Sequence, residues 1–197
     1  LERAPTDHIY VDGFSRSQVL DFGPDDSYLG AFGAVEPCAT LGVGYDNRIY
    51  AADSTRGYIY SSTGTLQSTF NFPAEYHVTP GGYLLGIQGP TREIRVMDLE
   101  GNLIRRWNAL GSARGITDGP DGLIYVAEDE RNDIAVYDFY GGLVRTITNP
   151  NLNAPYGLAF SPRGTLYVAN YNASNVIELD STTGATLSTI TEHLSGP

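Results

Sequence analysis

The sequence predicts an all-β fold built from a repeated four-stranded unit, and three observations carry that prediction. First, a short apolar segment recurs at intervals of 40, 35, 40 and 42 residues, and its central residues are Tyr10, Tyr50, Leu85, Tyr125 and Tyr167. Second, after the segment come two further runs of β-branched and aromatic residues, with turn-forming residues between them. Third, no stretch of helical length shows a helical apolar period free of glycine and proline.

Within each repeat the four strands follow one order. The first strand leads into a Pro-x-Gly turn, as in residues 115–122 and 157–164, which align without a gap. The recurring apolar segment is the second strand. The third and fourth strands form a hairpin with a glycine in its turn, and these glycines are Gly64, Gly101, Gly141 and Gly184. Four-stranded units repeating about every 40 residues are typical of a β-propeller, in which each unit is one blade.

We therefore predict a single β-propeller domain over residues 1–197. Its five blade segments are residues 8–33, 38–70, 74–107, 113–147 and 154–190. We expect the first repeat to be incomplete, because no full first strand precedes the segment centred on Tyr10. Three arrangements fit this number of predicted strands: a five-bladed ring with an imperfect seam, part of a larger ring, or an open array that another copy of the chain closes.

Charge and composition narrow the expected partners. The 197 residues carry a net charge of -11, with 23 Asp and Glu against 12 basic residues, all of them arginine. This charge opposes binding to nucleic acid and to anionic membranes. No apolar run approaches the roughly 20 residues of a membrane span, so we expect neither nucleic-acid binding nor membrane insertion. The acidic, lysine-free composition favours an extracellular or cell-surface protein, and a cytoplasmic location stays open.

The predicted strand ends gather polar residues. In propeller blades, the loop before the first strand and the loop after the second open on one rim of a central channel. Alignment of the repeats places these residues before the first strand: Ala39, Ala74, Arg114 and Tyr156. It places these after the second strand: Asp12 or Gly13, Asp53, Gln88, Glu128 and Asn170. We predict a ligand site at the rim, formed by seven of the predicted positions: Asp53, Gln88, Arg114, Glu128, Tyr156, Asn170 and His77, whose strand position can face the channel.

The chemistry of these side chains leaves two interpretations open. Carboxylate and amide oxygens suit a hard cation or a polar small molecule, and the candidate metal ligands are Asp53, Glu128 and Asn170. Alternatively, Asp and Asn after a strand cap their own turns through hydrogen bonds to the backbone. We predict no cofactor, with calcium as the open alternative.

The repeat pattern resembles that of the NHL-repeat propellers. It reads Pro-x-Gly-[apolar]-x-[apolar]-x-x-x-Gly-x-[apolar]-Tyr-Val-Ala-[Asp/Asn], and residues 154–170 carry it best, followed by 113–128 and 39–53. The resemblance implies a scaffold that often binds proteins or other ligands, and it implies no particular reaction. We therefore expect a protein-binding, self-association or assembly module rather than an enzyme.

A more distant resemblance gives the alternative function. Lactonases of the gluconolactonase and senescence-marker group couple a Pro-Asn-Gly before the first strand with a Tyr-Val-Ala-Asp at the end of the second, and both halves hold a divalent ion. Here one repeat has Tyr156 and Asn170 at those places, and another has Ala39 and Asp53. A metal-dependent lactonase would therefore require a rearranged site.

Overall fold

Regular structure in the described part of the chain consists of β-strands. The computed structural model describes residues 2–3, 8–13, 18–33, 40–53, 56–71, 76–79, 82–88 and 92–191. The predicted rim positions Ala39 and Ala74 lie outside the described residues. In the described ranges, twenty strands are present and there is no helix. It follows that no helix in these ranges is long and apolar enough to span a membrane.

The strands form five four-stranded sheets within the described residues, and each sheet uses four consecutive strands. The first contains β1 (Glu2–Arg3), β2 (Ile9–Gly13), β3 (Gln18–Phe22) and β4 (Tyr28–Phe32). The second contains β5 (Thr40–Val43), β6 (Ile49–Ala52), β7 (Gly57–Tyr60) and β8 (Leu66–Phe70). The third contains β9 (Tyr76–Val78), β10 (Leu84–Gln88), β11 (Glu93–Met97) and β12 (Leu103–Asn108).

The fourth sheet contains β13 (Ala113–Asp118), β14 (Ile124–Glu128), β15 (Asp133–Tyr137) and β16 (Leu143–Thr148). The fifth contains β17 (Pro155–Phe160), β18 (Leu166–Asn170), β19 (Asn175–Leu179) and β20 (Thr186–Ile190). Neighbouring strands in both sheets run antiparallel. The predicted all-β class and the four-stranded repeat are confirmed.

The first sheet has one strand more than the sequence pattern showed. β1 pairs antiparallel with β2, with Glu2 opposite Tyr10 and Arg3 opposite Ile9. Two residues are too few for an alternation of apolar and polar positions to be recognised. The first repeat therefore has a first strand, although a very short one.

Contacts between Cα atoms divide the chain into two compact units. The first comprises residues 1–89 and 95–104, and the second comprises residues 90–94 and 105–197. The single domain over residues 1–197 stays a prediction. In the first unit, one buried cluster joins the first two sheets through Tyr10, Val19, Ile49, Ala51 and Tyr60. A second buried cluster of this unit consists of Tyr50, Ala52, Ile59, Phe70, Leu84 and Met97.

The second unit has a buried cluster between the fourth and fifth sheets. Its members are Tyr125, Ile134, Val136, Ile147, Leu152, Leu166, Val168, Ile177 and Leu179. They are apolar residues on the facing sides of two sheets, and removing their surface from water stabilises the packing. The first strands of the two sheets, β13 and β17, also lie next to each other.

One packing contact recurs between consecutive sheets inside each unit. The turn glycine of one hairpin lies on a large apolar residue of the preceding sheet's fourth strand, in the pairs Gly64 with Phe32, Gly101 with Phe70, Gly141 with Trp107 and Gly184 with Ile147. A Cβ on these glycines would lie 2.5, 2.4, 2.7 and 2.9 Å from that residue. All four have positive φ. The turn glycines thus serve both the hairpin and the contact between sheets.

Candidate functional site

Two β-bulges occupy equivalent positions in the fourth and fifth sheets. The register of β13 on β14 shifts between Ala113 and Gly115, so Arg114 is the extra residue. The register of β17 on β18 shifts between Pro155 and Gly157, so Tyr156 is the extra residue. A bulge bends its strand and redirects the side chain of the extra residue. Arg114 and Tyr156 are therefore removed from the regular alternation of the sheets.

The two bulged strands approach closely because Gly115 lacks a side chain. A Cβ at Gly115 would lie 2.1 Å from the carbonyl oxygen of Tyr156. At the equivalent Gly157, a Cβ would lie 3.5 Å from the Cβ of Ala169, which is an ordinary contact. The approach of β13 to β17 thus requires glycine at position 115 and tolerates a side chain at position 157.

Arg114 and Tyr156 line a cavity of about 450 Å³, whose other lining residues are Asp129, Glu130, Ala154, Tyr171 and Asn172. Apart from Ala154, the lining comes from three equivalent positions in each of the two sheets. These are the bulge residue and the first two residues after the second strand. The fourth sheet places only charged side chains at these positions, and the fifth sheet places only neutral ones.

The charged side of the cavity contains a firmly held guanidinium. Arg114 Nε donates a hydrogen bond to Asp129 Oδ2 at 2.6 Å. The Asp129 backbone N–H donates to the carbonyl of Ser112 at 3.0 Å. Burial acts to raise the pKa of Asp129, but hydrogen bonds donated to its carboxylate by the side chains of Arg114 and Ser112, with the charge of Arg114, hold that pKa below its ordinary value. Asp129 is therefore ionised at neutral pH and fixes the orientation of Arg114.

The neutral side of the cavity presents two tyrosine rings. The centroids of Tyr156 and Tyr171 lie 6.0 Å apart, with an angle of 35° between the ring planes. The Arg114 guanidinium carbon lies 5.8 Å from the centroid of Tyr156, within the range of a cation–π interaction. Tyr156 is 37% exposed and Tyr171 is 56% exposed. The rings therefore offer aromatic surface to a ligand.

The backbone at Ala154 is strained and supported from both sheets. Ala154 has φ of 50°, a conformation that costs a non-glycine residue about 1–3 kcal/mol. Its N–H donates to Asn132 Oδ1 at 2.6 Å, and its carbonyl accepts from the N–H of Tyr171 at 2.9 Å. These contacts tie the turn after β14 to the turn after β18, and so hold both halves of the cavity lining.

Two of the seven predicted site residues, Arg114 and Tyr156, line the cavity. Asn170 does not line it and instead forms hydrogen bonds with the loop before β17. Asn170 is fully buried, and its Oδ1 accepts from the N–H of Asn153 at 3.0 Å. Its Nδ2 donates to the carbonyl of Asn151 and to Asn175 Oδ1, both at 2.9 Å. Asn170 thus closes the loop that leads into β17.

Glu128 occupies the equivalent buried position in the fourth sheet. Its Oε1 accepts from the N–H of Gly111 at 2.8 Å, and Arg131 Nε lies 3.0 Å from its Oε2. Burial is the main cause that raises the pKa of Glu128, and the neighbouring Asp133 carboxyl raises it further against the opposing effects of Gly111 and Arg131. Glu128 therefore holds the loop before β13 and, like Asn170, does not line the cavity.

Three predicted site residues lie in the first unit. Asp53 is buried, and it accepts hydrogen bonds from the N–H of Arg56 and from the hydroxyl of Tyr58, both at 2.7 Å. The hydrogen bond to Asp53, with burial, raises the pKa of Tyr58 to about 12. Gln88 accepts from Arg95, and His77 lies in β9 opposite Leu85. A common rim for all seven residues stays a prediction.

The calcium alternative also stays untested. In the described part of the chain, no three His, Cys, Asp or Glu side chains form a group that could hold a metal ion. Asp53 accepts a hydrogen bond from the N–H of Arg56 in the turn that follows it, which is the turn-capping alternative given for such residues in the sequence analysis.

Besides Ala154, sequence reasoning missed four of the cavity residues: Asp129, Glu130, Tyr171 and Asn172. They follow Glu128 and Asn170 by one and two residues. The alignment of the repeats located the ends of these strands correctly. The missing information was that the last strand residue is buried, so that the turn residues beyond it face the ligand-accessible space.

Comparisons with known proteins support the fold. No protein-family model matches the chain, and no curated protein shows significant similarity to it. Solved structures of similar fold include a streptogramin B lyase, at 12% identity and TM-score 0.77 over 94% of this chain and 65% of that chain. A catalytically inactive virginiamycin B lyase from Staphylococcus aureus with quinupristin has 12% identity and TM-score 0.78, over 96% of this chain and 68% of that chain.

A protein of unknown function from Bacteroides caccae is similar at 14% identity and TM-score 0.73, over 94% of this chain and 73% of that chain. The chain spans just under two thirds of the streptogramin B lyase and somewhat more of the other two. Together with the five four-stranded sheets, these similarities define the class: the chain is a β-propeller protein.

Proposed function

We propose that this chain is a protein-binding module, related to the NHL-repeat propellers, and that the cavity in its second unit receives a segment of the partner. The observation that carries the proposal is the combination of exposed tyrosine rings with a fixed arginine around a cavity of about 450 Å³. Tyrosine and arginine are enriched among the residues that contribute most to protein–protein binding.

The preorganisation of the cavity supports this proposal. Arg114 is held by Asp129 at 2.6 Å, and the loop at Ala154 is tied to both neighbouring turns. Side chains and loops that are already ordered lose less conformational entropy on binding. The cavity is therefore suited to binding a segment without prior rearrangement.

The contacts of the candidate metal ligands favour a binding module over the lactonase alternative. Both carboxylate oxygens of Asp53 accept hydrogen bonds, one from the N–H of Arg56 in its own turn and one from the hydroxyl of Tyr58 in β7. Both amide atoms of Asn170 hold the loop before β17. The lyase activities named for the similar structures are not part of the proposal, because 12% identity carries the fold alone. An extracellular or cell-surface location remains our expectation from the acidic, lysine-free composition.

Selection from a random-peptide display library tests the proposal directly. We expect enriched peptides to bind the wild-type chain and to lose at least about tenfold in affinity with Tyr171→Ala or Arg114→Ala, as for residues that dominate an interface. Tyr140→Ala is the matched control, because Tyr140 is an exposed tyrosine of the same unit that does not line the cavity. The proposal is wrong if no peptide is enriched, or if the enriched peptides bind both cavity variants as tightly as wild type.

A further inference from the structure

The two carboxylates of the cavity differ in how firmly they are engaged. Asp129 is bound to Arg114 at 2.6 Å and is mostly buried. Glu130 pairs with Arg92 at 3.0 Å, and the two side chains are 62% and 46% exposed. Exposed ion pairs of this kind are weak, because water screens the charges and the long side chains lose freedom. Glu130 can therefore exchange Arg92 for a positive charge supplied by a ligand.

Tyr171 adds an aromatic face to the same cavity. It is the more exposed of the two cavity tyrosines, and Asn172 beside it carries an exposed amide. The face of an aromatic ring attracts cations electrostatically, as the contact of Arg114 with Tyr156 already illustrates. A long basic side chain can therefore pack its apolar stem on Tyr171 and place its charge near a carboxylate.

The net charge of the whole chain also favours a basic partner. A net charge of -11 attracts basic partners and repels acidic ones before contact is made. From these three observations we infer that the cavity recognises a basic side chain, arginine or lysine, in the partner segment, with Glu130 as the countercharge and Tyr171 as the aromatic surface. This inference rests on the proposed function and specifies the partner's chemistry.

A titration with defined peptides tests the inference. The probes are short glycine–serine peptides that differ only in a central arginine, glutamine or glutamate, and the readout is the backbone amide chemical shifts of isotope-labelled protein. We expect the arginine peptide to shift the amides of Glu130, Tyr171 and Asn172 and to bind several-fold tighter than the glutamine peptide. The glutamate peptide should bind more weakly than both.

A matched pair of variants separates the local contact from general attraction. Glu130→Gln is expected to weaken binding of the arginine peptide about two- to fivefold, the range of an exposed cation contact. Glu100→Gln changes the net charge equally and is expected to leave binding unchanged. Glu100 is 63% exposed and pairs with Arg48 at 3.1 Å, in the first unit.

The outcomes distinguish this inference from the proposed function. If the glutamine or glutamate peptide shifts the same amides with equal or higher affinity, the preference for a basic side chain is wrong and the binding module stands. Equal weakening by Glu100→Gln and Glu130→Gln would also overturn it, because the attraction would then be nonspecific. If neither these probes nor the display-selected peptides shift the cavity amides, the proposed function itself fails.

Discussion

At the scale of single residues, one step along the chain separates support from ligand contact. Asn170 is the last residue of β18 and is buried, whereas Tyr171 and Asn172 follow it and line the cavity. The same step separates Glu128 from Asp129 in the fourth sheet. Side chains in a strand alternate between its two faces, and a turn ends that alternation. Neighbouring polar residues therefore take different roles.

Replacing Asn170 should destabilise the fold without removing any cavity side chain. Asn170→Ala eliminates three hydrogen bonds of a buried amide and is expected to lower the free energy of unfolding by about 1–3 kcal/mol. Asn172→Ala, at an exposed turn position, should change it by less than about 0.5 kcal/mol. Urea denaturation of both variants measures the difference, and equal losses would contradict the distinction between the two positions.

Glu128 should make stability depend on pH with an unusual sign. Burial and Asp133 raise the pKa of Glu128 in the folded state. Its contribution to the free energy of unfolding is therefore fully present below the ordinary pKa of glutamate and is lost as pH rises through the raised value. The neutral amide of Glu128→Gln avoids that loss. We expect a higher Tm than wild type at pH 8, with the difference shrinking in acid.

Glu178→Gln serves as the control of opposite sign. Hydrogen bonds from Thr165 and Ser188 lower the pKa of Glu178. Its contribution to folding stability is therefore present above the ordinary glutamate pKa and is lost as pH falls through the lowered value. This variant should therefore have a lower Tm than wild type at pH 8. Thermal melts that show the same sign for both variants would refute the electrostatic explanation.

At the scale of elements, the fourth strand of a sheet is stabilised where another sheet covers it. Ile147 in β16 lies beneath Gly184 and is 3% exposed, whereas Ile190 at the equivalent place in β20 is 47% exposed. Ile147→Ala should cost about 2–5 kcal/mol in unfolding free energy. Ile190→Ala should cost less than about 1 kcal/mol. Denaturation curves provide the test, and similar costs would mean that the packing beneath Gly184 contributes little.

The two bulges give a second matched pair at this scale. Gly115→Ala places a Cβ against the Tyr156 carbonyl at 2.1 Å, so β13 and β17 must separate, at an expected cost of about 1–3 kcal/mol. Gly157→Ala makes only an ordinary contact and should be neutral or slightly stabilising, because alanine restricts the unfolded chain. Peptides that bind the cavity should lose affinity only with the first variant. Retained affinity in Gly115→Ala would show that the cavity does not depend on this approach.

At the scale of the whole molecule, the net charge of -11 opposes compaction and favours basic partners. Raising NaCl from low to physiological concentration should screen the repulsion and raise the Tm, by about 2–4 °C for each kcal/mol gained. The same salt should weaken binding of the arginine peptide. Thermal melts and titrations at matched salt concentrations measure both effects. A Tm that falls with salt would show that favourable ion pairs outweigh the repulsion.

Local patterns in the sequence determined the fold class and most strand positions. The recurrence of Tyr10, Tyr50, Tyr125 and Tyr167 marked the second strands, and the turn glycines marked the hairpins. These signals are readable because a strand or a tight turn depends on a few adjacent residues. Arg114 and Tyr156 were also found from the sequence, since they occupy one repeated position in two blades.

Only the tertiary structure decided which of these positions can meet a ligand. The burial of Glu128 and Asn170, the close approach at Gly115 and the exposure of Ile190 all depend on residues distant in the sequence. The strand β1 likewise exists through its pairing with β2 rather than through a pattern of its own. Packing between separate segments sets exposure, and exposure decided whether a polar residue at a strand end supports the cavity or lines it.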